Sequence, residues 1–96
     1  MLVKVRGYLT YKEIIGEQSI HIPEDRRLTI AGLFTSLAYQ LDQEFSELIY
    51  DPKTGLLGEH VAVIINGRNY RNLPKALNTA LKDGDNIAIF PPMAGG

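Results

Sequence analysis

One segment of this 96-residue chain carries a sustained helical period, and short alternating stretches lie on either side of it. Ile30, Leu33, Phe34, Leu37 and Leu41 fall at i, i+3, i+4, i+7 and i+11, which is one face of a helix. Ala38 broadens that stripe, and Thr29 offers an N-cap. Gly32 weakens the first turn by up to about 1 kcal/mol, less than burial of Leu33 and Phe34 returns. The helix is expected to fray near Phe45, and Phe45 to Tyr50 is a candidate for a second, short helix. A single apolar helical face has to be buried, and the flanking segments supply a sheet to bury it against.

Before the helix, residues 2–9 alternate apart from Gly7-Tyr8, with Val3 and Val5 as the inward set and Leu9 as a further candidate. Ser19-Ile20-His21-Ile22 alternates again until Pro23 closes it, and Gly16 marks the turn between the two strands. After the helix, His60 to Ile65 is β-rich and apolar, which suits a strand covered on much of both faces. Asn66-Gly67 then marks a hairpin, with Arg68 to Tyr70 pairing back. Pro74 to Leu77 reads as a helical turn. Asp83-Gly84-Asp85 is a turn into the last strand, Asn86 to Phe90. Strand, strand, helix, strand, short strand, strand describes an α+β chain with one mixed sheet and one main helix on one face. The first and last strands are expected side by side and parallel at the centre, the β-grasp or ubiquitin-like arrangement. Residues 1–90 form the domain and residues 91–96 an extended tail.

Composition narrows the chemistry. With no cysteine, the chain has no disulfide framework, no thiolate metal site and no cysteine nucleophile of its own. A formal net charge of -1 provides no overall basic field for nucleic acid or anionic lipid. No apolar run approaches the roughly 20 residues of a membrane helix. His21 and His60 lack a spaced ligand set, so no metal site is expected. The five tyrosines do not interleave with basic residues as a base-stacking surface would. A soluble, cytoplasmic domain is the expectation.

The C-terminal six residues, Pro91-Pro92-Met93-Ala94-Gly95-Gly96, carry the candidate site. Pro91 and Pro92 fix φ and stop the donation of backbone N–H groups, so they end the strand and aim the tail outward in a stiff extended form. Gly95 and Gly96 lack Cβ atoms and pass where walls are close. At 3.3–3.6 Å per residue the tail reaches roughly 20 Å from Pro91. Ordering its last four residues costs roughly 1–2 kcal/mol each, so the body must supply most of the affinity for any partner. Phe90 and Met93 are candidate anchors beside the tail, with Phe90 read equally as a core residue.

Val63-Ile64-Ile65-Asn66-Gly67, Leu81-Lys82-Asp83-Gly84-Asp85, Ile87-Ala88-Ile89-Phe90-Pro91-Pro92 and the final Ala94-Gly95-Gly96 together closely resemble the small subunit of molybdopterin synthase. More loosely, they resemble the thiamine-thiazole sulfur carrier and the wider ubiquitin-like sulfur carriers. The order of elements matches along the whole chain, and the specific motifs lie in its last third. Two features differ: Lys12-Glu13-Ile14-Ile15-Gly16 is only similar to the family's first hairpin, and the stretch from Glu44 to Glu59 is longer than in a compact member.

The resemblance implies that an ATP-dependent, ubiquitin-activating-like adenylyltransferase activates the carboxylate of Gly96. Sulfur from a sulfurtransferase then replaces the adenylate. The resulting thiocarboxylate, presented by Gly95 and Gly96, donates sulfur to a cyclic pyranopterin held by a large synthase subunit. Phe90, Pro91, Pro92, Met93 and Ala94 would contact that partner. The chain would be a non-catalytic sulfur-donor subunit with no bound cofactor, its ATP and Mg²⁺ held by the activating partner. Three alternatives stand beside this one: sulfur delivery for thiazole or thionucleoside synthesis, a protein modifier conjugated to lysines, and an interaction module with an inert tail.

Overall fold

The computed structural model describes residues 1–23, 25–41, 43–55 and 57–91. The tail residues Pro92, Met93, Ala94, Gly95 and Gly96, singled out above, lie outside the described residues. Five strands form one sheet: β1 (Leu2–Gly7), β2 (Glu17–His21), β3 (Ala62–Ile65), β4 (Arg68–Asn69) and β5 (Asn86–Phe90), in the order β2-β1-β5-β3-β4. The central pair, β1 and β5, is parallel, with Val5 beside Ile87 and Gly7 beside Ile89. The other neighbours are antiparallel. The expected mixed sheet with the first and last strands at its centre is therefore present.

Alternation along the strands sorts side chains onto two faces. Val3, Val5, Val63, Ile65, Ile87 and Ile89 point inward and are buried. Helix α1 (Ile30–Gln40) lays Ile30, Leu33, Phe34 and Leu37 on that face. The Thr29 hydroxyl accepts a hydrogen bond from the Gly32 N–H at 3.1 Å, so the predicted N-cap is made. The helix ends earlier than the periodicity implies, with Leu41 as its C-cap. A second helix, α2 (Gln43–Ile49), then starts before Phe45. Phe45 is fully buried and lies 6.4 Å from Phe34, ring centre to ring centre, so it belongs to the core and is not a frayed end.

Two sequence expectations change near the first hairpin and in β3. Leu9 is 59% exposed, because the chain leaves β1 into a 3-10 turn over Leu9–Lys12. The inward position after Val5 is taken instead by Gly7. A Cβ there would sit 2.6 Å from the Tyr11 carbonyl oxygen and 2.8 Å from the Ile15 Cβ, so Tyr11 and Ile15 fill the space over the strand. In β3, only Val63 and Ile65 are buried, while Ala62 and Ile64 face outward and stay half-buried. The two faces of β3 are thus unequally covered.

Hydrogen bonds fix the register of β5 at its start. Asn66-Gly67 turns β3 into β4 with φ of 51° and 84°, as that dipeptide favours. The Asn66 N–H donates to the Asn86 carbonyl (2.8 Å), and the Asn86 N–H donates to the Asn66 side-chain oxygen (2.9 Å). Asp85, 8% exposed, accepts from the Asn66 side-chain amide (2.9 Å) and the Lys82 N–H (2.7 Å). Asp83 accepts from the Leu2 N–H (2.7 Å). The turn before β5 is thereby tied to both of that strand's neighbours.

Candidate functional site

The strand that leads to the tail is the middle one of the sheet, anchored at its start by the Asp85 network and flanked along its length by β1 and β3. Its outward side chains are Asn86, Ala88 and Phe90. Register places Ala88 opposite Ile64 and Phe90 opposite Ala62 on β3. On the other side, Arg6 lies beside Ala88. Ala62, Ile64, Ala88 and Phe90 make a half-buried apolar strip on the face that α1 does not cover. Lys4, Arg6 and Asn86 border it and are exposed.

Tyr8 completes the strip. Its ring stacks on Phe90 with centroids 4.6 Å apart and planes 12° from parallel. Its N–H donates to the Ile89 carbonyl at 3.0 Å, which continues the β1–β5 ladder one residue past β1. Phe90, read from sequence as core or interface, therefore lies on the outer face as part of an aromatic pair. Sequence reading treated Tyr8 only as a break in alternation. The parallel register was the available signal, since a residue following Gly7 must fall beside the one following Ile89.

Pro91 lies where β5 ends, as its missing N–H requires, and is itself buried. It lines a groove of about 610 Å³ shared with Tyr11, Leu48, Lys53, His60 and Val61. Leu48 is 43% exposed there. Burial pushes the phenols of Tyr11 and of the nearby Tyr50 above their ordinary pKa, so both stay protonated at neutral pH and neither is a ready base or nucleophile. Pro92, Met93, Ala94, Gly95 and Gly96, the remaining candidates, lie outside the described residues.

The charged residues near the strip are structural or exposed. Arg6 pairs with Glu17 at 2.6 Å on the open surface, which raises the Arg6 pKa through the hydrogen bond to that carboxylate. Arg71, which is exposed, donates to the Glu59 carbonyl at 2.9 Å and lies over the Tyr70 ring, bracing the segment before β3. Among the described residues no three His, Asp or Glu side chains gather where a metal ion would bind. No helix among them is long and apolar enough to cross a membrane. Among the described residues the site is a partly open apolar strip beside exposed polar side chains, with no cluster that would hold a metal ion.

Comparison with known proteins agrees with this geometry. The model of the ThiS family matches residues 8–96. Small archaeal modifier protein 3 of Haloferax volcanii is 36% identical over 96 residues, covering all of both chains. The solution structure of small archaeal modifier protein 1 from Methanosarcina acetivorans superposes with a TM-score of 0.77 at 29% identity, covering 99% of this chain and 96% of that one. A Pyrococcus furiosus structure, provisionally described as molybdopterin converting factor subunit 1, gives a TM-score of 0.67 at 26% identity, covering 97% of this chain and 99% of that one. The chain belongs to the ThiS family of ubiquitin-like sulfur carriers.

Proposed function

We propose that this chain is the sulfur-donor subunit of a molybdopterin synthase, carrying sulfur as a thiocarboxylate on Gly96. The observation that carries the reading is the position of the apolar strip. Tyr8, Ala62, Ile64, Ala88 and Phe90 lie on an open sheet face and lead directly to Pro91, from which the tail departs. A partner that docks on this strip receives the tail at the rim of the contact. The ordering cost of the tail, roughly 1–2 kcal/mol per residue, is then offset by the body's contact area.

The chemistry follows from the carboxylate. By itself it is a poor acyl donor, because its oxyanion repels nucleophiles and oxide is a bad leaving group. A carboxylate oxygen attacks the α-phosphorus of ATP and releases pyrophosphate, forming an acyl adenylate. A sulfur nucleophile then displaces AMP and leaves sulfur on the Gly96 carbonyl carbon. The adenylyltransferase supplies the ATP and Mg²⁺ sites, since this chain has no phosphate-binding glycine loop followed by Lys-Ser or Lys-Thr. The large synthase subunit supplies the pyranopterin pocket, a sulfurtransferase supplies sulfur, and the exchange takes place in the cytoplasm. The family motif in Phe90-Pro91-Pro92 and the likeness to the Pyrococcus furiosus protein support this pathway.

A second reading has its own support. The full-length relative at 36% identity is named as a protein modifier. An acyl adenylate can be attacked by a deprotonated lysine amine as well as by a sulfur nucleophile, with AMP leaving in either case, so one activated terminus serves both outcomes. Intact mass of the protein purified from its host separates them. Exchange of one oxygen for sulfur at Gly96, with conversion of a cyclic pyranopterin when the large subunit is added, supports the leading reading. Lysine adducts bearing a Gly-Gly remnant, with no pyranopterin conversion, replace it with the second.

A further inference from the structure

The two edges of the sheet differ. On one side the edge strand β4 is two residues long and offers little backbone to a neighbour. On the other, β2 is five residues long and, among the described residues, pairs only with β1. Residues Gly16 and Ile22, which flank β2, bond towards β1: the Gly7 N–H donates to the Gly16 carbonyl, and Ile22 exchanges hydrogen bonds with Met1 in both directions. Alternation then turns the N–H and C=O groups of Glu17, Ser19 and His21 away from the sheet. None of these six groups has a hydrogen-bond partner among the described residues. Strand β2 contains no proline, lysine or arginine, the residues that usually blunt such an edge.

We infer that two copies of this chain associate through β2, antiparallel about a two-fold axis at Ser19. Only that register pairs all three outward-facing residues: Ser19 with its own symmetry mate, and Glu17 with His21 of the second copy, twice. All six free backbone groups on each side are then used. Side chains directly opposite one another point to the same face, so each Glu17 carboxylate meets the His21 imidazole of the other copy at cross-strand distance. The Arg6 guanidinium occupies one Glu17 oxygen and leaves the other for the imidazole N–H. The charge pattern of the edge is therefore complementary to its own reverse.

This geometry is compatible with tail delivery. A two-fold axis perpendicular to the sheet keeps both apolar strips on the same side of one continuous ten-stranded sheet. The two β5 strands run in opposite directions, five strand spacings or about 24 Å apart. Each Pro91 then exits at an opposite end, and neither strip is covered by the pairing. The contact is narrow, so the association is weak and depends on concentration.

Sedimentation equilibrium of the full chain, up to about 1 mM, tests the inference. A monomer–dimer equilibrium is expected, with the Ser19 amide protected from hydrogen exchange only at the high end of that range. Ser19→Pro removes an N–H that the monomer does not use, so the fold is retained. It should raise the dissociation constant at least about tenfold. His21→Glu, which sets two carboxylates against each other, should weaken the dimer in the same direction while circular dichroism stays unchanged. A wild-type chain that remains monomeric throughout, or variants that associate as the wild type does, would overturn the proposal.

Discussion

The inner and outer faces of this sheet are built from the same five strands, one residue out of phase, and they have different tasks. On the inner face, Val5, Val63, Ile87 and Ile89 are buried in one core cluster with apolar side chains of α1 and α2. On the outer face, Arg6, Ile64, Ala88 and Phe90 remain wholly or partly open. Inward residues set the stability of the body, while outward residues present a surface without adding much to the core. A shift of one residue in strand register would exchange the two sets. The hydrogen-bonded turn around Asp85, which fixes β5, therefore keeps the outer strip partly exposed as well as the core packed.

Four experiments break or sharpen that contrast. The largest effect is expected from deleting Gly95-Gly96: thiocarboxylate formation falls to zero, read by intact mass after incubation with an activating enzyme, while the thermal midpoint stays put. Next is Phe45→Ala on the covered side, expected to cost about 3–5 kcal/mol in urea unfolding. Its activation by the partner at a temperature where it remains folded should be near normal. Ile64→Asp on the open side should do the reverse. Affinity for the partner is expected to drop by about 10–100-fold, measured by calorimetry, with a stability change of about 1 kcal/mol or less.

The smallest effect is the alkaline response. Burial raises the pKa of Tyr11 and Tyr50 in the folded state above the ordinary value of 10.0. Below that value both states are protonated and stability is unaffected. As pH rises past it, the unfolded chain ionises first, and stability is lost as pH moves through the folded pKa values. The thermal midpoint should therefore decline above about pH 10, and Tyr11→Phe should make that decline shallower.

Much of the frame was legible because local signals and burial pointed the same way. Thr29, the 3.6-residue stripe, Asn66-Gly67 and Asn86 to Phe90 each combine a boundary residue with the matching period. The break between α1 and α2 was not legible in the same way. Phe45 follows a polar run, and only the packing of its ring near Phe34 shows that the chain turns back to the core. Leu9 was misread because alternation assumes an unbroken strand, whereas Gly7 lets Tyr11 and Ile15 close over the sheet. The outer apolar strip was half legible. Phe90 and the proline after it stood out by motif, but Tyr8, Ala62, Ile64 and Ala88 come together only through strand order, which no local window contains.

The pairing of the first strand with the last has a kinetic consequence. Lys4 and Asn86 are partners, so the centre of the sheet closes only when opposite ends of the domain meet. Loop-closure entropy disfavours that encounter, and folding of such a topology is slower than that of a helical bundle of equal size. During synthesis β1 and β3 wait without their shared neighbour until residue 90 has left the ribosome. A translation product that stops short of β5 lacks the middle of its sheet and leaves the facing edges of β1 and β3 unpaired and open to proteolysis.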